Sequence, residues 1–118
     1  VQDRQGGAYY HAGRQPSSRW KTVDWCREVV KRGAGELLLT SVDRDGMGCG
    51  YDLELIRAVR AALPTTVITA SGGCGRPEDC VAAIQAGASA VAVGTYLHGG
   101  GTVGEIKAAL AEAGVEVR

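Results

Sequence analysis

The sequence predicts an α/β fold built on a parallel sheet, and three observations carry that expectation. Short apolar runs recur at Leu37-Leu38-Leu39, Val67-Ile68-Thr69-Ala70 and Ala90-Val91-Ala92-Val93. They have the length and continuity of strands buried on both faces. Each run ends in small, polar or acidic residues, and each is followed by apolar residues at helical spacing. Strands alternating with helices define right-handed βαβ units.

The elements follow in order. Residues 1–18 are polar and turn-rich, with Gly6-Gly7, Gly13 and Pro16-Ser17-Ser18; Ala8-Tyr9-Tyr10-His11 has the character of one short strand. Residues 19–118 form the α/β unit. Val23, Trp25-Cys26 and Val29-Val30 recur at helical spacing, with Thr22 as N-cap, Lys31-Arg32 in the last turn and Gly33 as the stop. The first strand, Leu37-Leu38-Leu39, leads into a loop over residues 43–51. The next helix carries Leu53, Leu55-Ile56, Val59 and Ala62-Leu63 between the N-cap Asp52 and the terminator Pro64. After the second strand, Gly72-Gly73-Cys74-Gly75 makes a turn and Pro77 opens a helix that runs to Gly87. The third strand gives way to residues 94–101, and Thr102 then caps a helix with Val103, Ile106 and Leu110 that stops at Gly114. A doubly wound open sheet and part of a (β/α)8 barrel both fit this order. Gly72-Gly73-Cys74-Gly75 lacks the G-x-G-x-x-G spacing of the former, which favours the barrel.

Composition narrows the function classes. The chain has 118 residues with 13 basic and 13 acidic side chains, so no bulk charge points to nucleic acid or an anionic membrane. No apolar run approaches the ~20 residues of a spanning helix, and no signal-like apolar segment opens the chain, so a soluble cytoplasmic protein is expected. Cys26, Cys49, Cys74 and Cys80 form no C-x-x-C pair, and His11 and His98 are far apart. No metal site, cofactor or disulfide is expected. Cys26 and Cys80 fall inside helical patterns as small core residues, whereas Cys49 and Cys74 lie in loops as accessible thiols.

Parallel sheets bind ligands beyond the C-terminal ends of their strands. Those ends supply Thr40, Asp43, Asp45 and Gly46, then Ser71, Gly72 and Gly73, then Gly94 and Thr95. The last two sets suit phosphate: glycines let backbone N–H groups approach its oxygens, and hydroxyls add donors. The same glycines would also serve simple tight turns. Asp43 and Asp45 could flank one reacting group, one ionised and one donating a proton. Alternatively, Arg44 neutralises them or one caps local backbone. Thr40 points its hydroxyl into the same mouth or is a β-branched strand residue. Trp20 and Trp25 cover apolar surface near the first helix, His98 sits in a loop near the mouth, and Tyr51 packs at a helix entrance.

The wording of these motifs resembles a known family. Arg32-Gly33-Ala34-Gly35-Glu36-Leu37-Leu38-Leu39-Thr40-Ser41-Val42-Asp43-Arg44-Asp45-Gly46 through Gly50-Tyr51-Asp52-Leu53, Ala70-Ser71-Gly72-Gly73-Cys74-Gly75 and the ending Glu105-Ile106-Lys107 to Gly114-Val115-Glu116-Val117-Arg118 closely resemble the cyclase subunit of imidazole glycerol phosphate synthase, from histidine biosynthesis. The resemblance runs over residues 9–118 and implies the C-terminal half of a TIM-type (β/α)8 barrel, units 6–8 with the preceding helix. It implies a cyclase that joins ammonia, delivered by a glutaminase subunit on the opposite face, to a nucleotide carrying two phosphates. It also implies that one phosphate rests on Asp45-Gly46, Gly73 and Gly94-Thr95, lined by Thr40 and Ser71. The family's two principal catalytic aspartates end its first and fifth strands. The first four βα units have no counterpart in these residues. Tyr9-Tyr10-His11-Ala12-Gly13-Arg14 resembles the segment after strand five, which leaves almost no room for that strand. Asp3 is the candidate remnant of its aspartate, Asp45 is a supporting acid, and Cys74 replaces a usually smaller residue.

A cylinder needs about eight strands, so three or four leave open edges and an uncovered inner face. Self-association as a homodimer or larger even assembly, or pairing with a complementary half-barrel, is therefore expected. For this chain the sequence favours phosphate binding without independent cyclase turnover, since acid–base chemistry needs both aspartates across one mouth. The alternative is a structural or interaction half-barrel that pairs through its open edges.

Overall fold

In the computed structural model, which describes residues 1–4, 7–9 and 20–118, the apolar runs pair side by side. The strands are β1 (Gln2–Arg4), β2 (Gly7–Tyr9), β3 (Glu36–Ser41), β4 (Val67–Ser71) and β5 (Ala90–Ala92). Their order in one sheet is β2-β1-β3-β4-β5. The β3–β4 and β4–β5 ladders are parallel, with Leu38 opposite Thr69 opposite Ala90, and Thr40 opposite Ser71 opposite Ala92. All three strands therefore end at one rim.

The intervening helices are α1 (Thr22–Lys31), α2 (Leu53–Ala62), α3 (Pro77–Gln85), α4 (Thr95–His98) and α5 (Val103–Glu112). Their starts are chemically fixed. The Leu55 N–H donates to Asp52 Oδ1 (3.0 Å) at α2, and the Glu105 N–H donates to Thr102 Oγ1 (3.2 Å) at α5. Asp79 Oδ2 accepts from the Gly75 and Arg76 N–H groups at the head of α3. At α1 the boundary shifts by one residue: Lys21 is the N-cap, and Thr22 is the buried first residue of the helix. Arg60 fastens α2 to the turns that follow it. Its Nε donates to the Gly87 carbonyl (2.7 Å), Nη1 donates to the carbonyls of Leu63, Pro64 and Thr66, and Nη2 donates to Ser89 Oγ.

The strands alternate in burial. Leu37, Leu39, Ile68 and Ala70 are buried with Cys26, Ile56, Val59, Cys80 and Ala83 from the helices. On the opposite face Glu36, Leu38, Val67 and Ala90 are exposed. This corrects the expectation of strands buried on both faces. The helices cover one side, and among the described residues nothing covers Leu38, which is 54% exposed, or Val67.

Four further expectations meet the structure near the rim and the N-terminus. There is room for a strand ahead of β2: β1 is parallel to β3, with Asp3 in register with Ser41. The short strand around Ala8 pairs antiparallel with β1, while Tyr10 and His11 lie outside the described residues. Cys74 is buried rather than accessible, in contact with the fully buried Cys80 at 3.6 Å between sulfurs. His98 closes the short helix α4 instead of sitting in irregular loop.

Candidate functional site

The rim is built by backbone lying against backbone. Gly72 and Gly73 adopt φ of 88° and 111°, conformations that disfavour any side chain. A Cβ at Gly72 would stand 2.7 Å from the Ser41 carbonyl oxygen, and one at Gly73 would overlap the Gly50 carbonyl. The Gly50 N–H donates to the Gly73 carbonyl (2.8 Å). The loop after β3 is thus seated directly on the turn after β4, and glycine is required for that contact.

Beyond β5 the chain does the opposite and leaves space. A Cβ on Gly94 would meet nothing within 4 Å. Gly94 and Thr95 are exposed at the start of α4. The position of α4 is set from behind, where the Tyr96 hydroxyl donates to Glu105 Oε2 (2.8 Å), a carboxylate that also accepts from the Thr102 N–H. That shared hydrogen bond raises the Tyr96 phenol above its ordinary range and lowers the Glu105 carboxyl.

Between these two walls lies a cavity of about 250 Å³. Ser71, Gly72, Gly73 and Cys74 line one side, Ala92, Val93, Gly94 and Thr95 the other, and Asp45 closes it from the β3 loop. The structure therefore brings together Asp45, Ser71, Gly72, Gly73, Gly94 and Thr95 from the sequence-derived set. Thr40, Asp43 and Gly46 stand outside the lining, although Thr40 is the register neighbour of Ser71. Asp3 sits on the strand beside β3. The lining offers hydroxyls and glycine backbone rather than lysine or arginine, so an anion there would be held by hydrogen bonds.

A second cavity, about 350 Å³, opens between the β3 loop and α3, with Arg44, Arg76, Asp52, Glu54 and Asp79 around it. Two of its acids are already committed, Asp52 to the Leu55 N–H and Asp79 to the head of α3. Among the described residues no group of three or more His, Cys, Asp or Glu side chains is placed to hold a metal. No described helix is long and apolar enough to cross a membrane.

One residue behind the rim does more than pack at a helix entrance. Tyr51, 3% exposed, sends its hydroxyl to the Ala92 carbonyl (2.9 Å) at the end of β5. Burial raises its ionisation well above the ordinary phenol range, and the neighbouring Cys80 and Cys74 raise it further. Cys80 is pushed up to about 12, mainly by burial and then by its contact with Cys74. The sequence signal was the aromatic in Gly50-Tyr51-Asp52, but its partner lies 41 residues away.

Parallel βα units with helices on one face and a polar cavity beyond the strand ends place this molecule among partial (β/α)8 barrels of the TIM type. More specifically, the chain belongs to the family described as "Histidine biosynthesis protein", which it matches over residues 2–102. It is 49% identical over 111 residues to imidazole glycerol phosphate synthase subunit HisF of Gluconacetobacter diazotrophicus, covering 93% of this chain and 42% of that protein. To HisF of Myxococcus xanthus it is 53% identical over 112 residues, covering 93% and 44%. To HisF of Beutenbergia cavernae it is 53% identical over 97 residues, covering 81% and 38%. The chain spans less than half the length of these curated relatives.

Proposed function

We propose that this chain supplies one phosphate-binding half of an imidazole glycerol phosphate cyclase, and that by itself it binds the phosphate of a sugar-phosphate or nucleotide-like ligand without turnover. The observation that carries this reading is the cavity joining Ser71-Gly72-Gly73 to Gly94-Thr95. Backbone can reach a ligand closely there because Gly94 has no side chain and a Cβ built on it would meet nothing within 4 Å, and the Thr95 hydroxyl adds a donor. Asp45 lies on the same cavity as the acid available for proton transfer. Asp3 is the second candidate, on the parallel strand next to β3. Ring closure requires a proton donor and acceptor placed across one mouth, so turnover is assigned to an assembly with a complementary half-barrel. A glutaminase subunit supplying ammonia would join that full barrel, and the setting is the cytoplasm. No cofactor enters this scheme.

Calorimetric titration with a phosphate monoester tests the reading. The chain binds it, and Thr95→Glu, which puts a carboxylate into the cavity mouth, abolishes the heat while the circular dichroism spectrum is retained. Equal binding by both proteins overturns the assignment.

A second reading has its own support. Leu38 and Val67 expose apolar surface on the sheet face that no other described residue covers, the surface through which two copies, or this chain and a complementary half, would pair.

A further inference from the structure

The two walls of the cavity come from different strands, and β5 is the weaker support. It is three residues long and, among the described residues, sits at the sheet edge and pairs with β4 alone, its last partnered residue being Ala92 opposite Ser71. Val93, Gly94 and Thr95 follow immediately and form one wall. An edge strand of this length leaves its end poorly restrained unless another element holds it.

The Tyr96–Glu105 bond holds α4 from behind, and the strand end itself is held from the loop after β3. Gly50 donates its N–H to the Gly73 carbonyl, and its own carbonyl lies against Gly73, which belongs to the first wall. The next residue, Tyr51, passes its ring through the core and donates its hydroxyl to the Ala92 carbonyl, at the root of the second wall. Asp52 then caps α2, anchoring the far end of the loop to a ten-residue helix. Around the phenol, Cys74 and Cys80 stand 3.6 Å apart, and Cys74 is itself part of the cavity lining.

From this juxtaposition we infer that Tyr51 is a positioning residue of the phosphate cradle: its hydroxyl, with the Gly50 backbone beside it, sets the spacing between the Gly73 wall and the Gly94 wall. This rests on the reading of the cavity as a phosphate site. Tyr51 touches no ligand and does no proton transfer. It holds the Ala92 carbonyl, and through it the amides that follow, at a fixed distance from Gly73.

The test uses the whole chain, inorganic phosphate as the probe and ¹⁵N relaxation as an independent readout. Tyr51→Phe keeps the ring in place and leaves the Ala92 carbonyl without its donor. Phosphate affinity falls about three- to tenfold, the share of one buried hydrogen bond expressed at the site. Order parameters at Val93, Gly94 and Thr95 fall from about 0.85 towards 0.6, while those in β3 and α2 stay unchanged. Cys80→Ala serves as the control: it removes a buried neighbour of the phenol and lowers stability, but keeps the hydroxyl and leaves affinity and wall rigidity at the parent values. Unchanged affinity and order parameters in Tyr51→Phe overturn the inference, as does an equal loosening in Cys80→Ala. If the parent chain binds no phosphate, the functional reading fails by itself, and the relaxation data still decide whether Tyr51 holds the second wall.

Discussion

Gly73→Ala is the perturbation whose consequence follows most directly from the rim. Residue 73 has φ of 111°, and a methyl group there would run into the Gly50 carbonyl. The backbone conformation alone costs a residue with a side chain about 1–3 kcal/mol. Displacing the Gly50 carbonyl also breaks the 2.8 Å bond from the Gly50 N–H to the Gly73 carbonyl, which removes about 1 kcal/mol more. The expected loss is about 2–4 kcal/mol, and with a urea slope of about 2 kcal/mol/M the midpoint moves down by roughly 1–2 M. Gly94→Ala is the matched comparison. Its φ of −121° is ordinary and the space around it is empty, so stability changes by less than about 0.5 kcal/mol, while the methyl group intrudes on the cavity and weakens phosphate binding. Urea unfolding followed by circular dichroism measures both. Equal midpoints for Gly73→Ala and the parent chain would refute the claim that the β3 loop is seated on this glycine.

Three other outcomes are expected. Arg60→Ala removes the donors to four carbonyls and Ser89, lowering stability by about 2–3 kcal/mol. Arg60→Lys recovers less than half, since an ammonium cannot span that fork, and urea midpoints report both. Cys80 keeps its proton to higher pH when folded, from an ordinary 9.0 to about 12. Its stabilising effect is therefore complete below pH 9 and lost as pH rises towards 12; the parent's urea midpoint falls across that window more steeply than that of Cys80→Ala. Light scattering at micromolar concentration gives at least twice the 12.2 kDa monomer mass, and Leu38→Glu, on the exposed sheet face, shifts the chain to monomer without loss of helical signal. A sharp monomer mass for the parent removes the pairing argument.

The βα units were legible because their signals are local. Asp52, Pro77 and Thr102 mark helix starts by chemistry acting within one turn. The strand ends were legible for the same reason, since glycines at positive φ leave a compositional trace at Gly72-Gly73. What escaped depends on distant partners. The run Leu37-Leu38-Leu39 carries no information about whether its second face is covered, so Leu38 was expected to be buried. Gln2-Asp3-Arg4 has no apolar pattern, and as β1 it is recruited by the β3 edge, where the Thr40 N–H donates to the Val1 carbonyl (2.8 Å). Cys74 follows a glycine pair that reads as exposed turn, yet α3 brings Cys80 over it. Thr40 lies within β3, and Asp43 and Gly46 share the loop after β3 with Asp45; that loop curls back on Ser41, whose carbonyl accepts the Asp45 N–H (3.0 Å), and Asp45 alone of the four lines the cavity.

In the function proposed above, the two glycine-bearing strand ends hold a phosphate between them. Amide-resolved ¹H–¹⁵N spectra recorded during titration with inorganic phosphate test it most directly. Saturable shifts concentrated at Gly72, Gly73, Gly94 and Thr95 are expected, with Gly35 and Gly104 unmoved. Shifts centred instead on the cavity between Arg44 and Arg76, or no saturable shift at all, would contradict it.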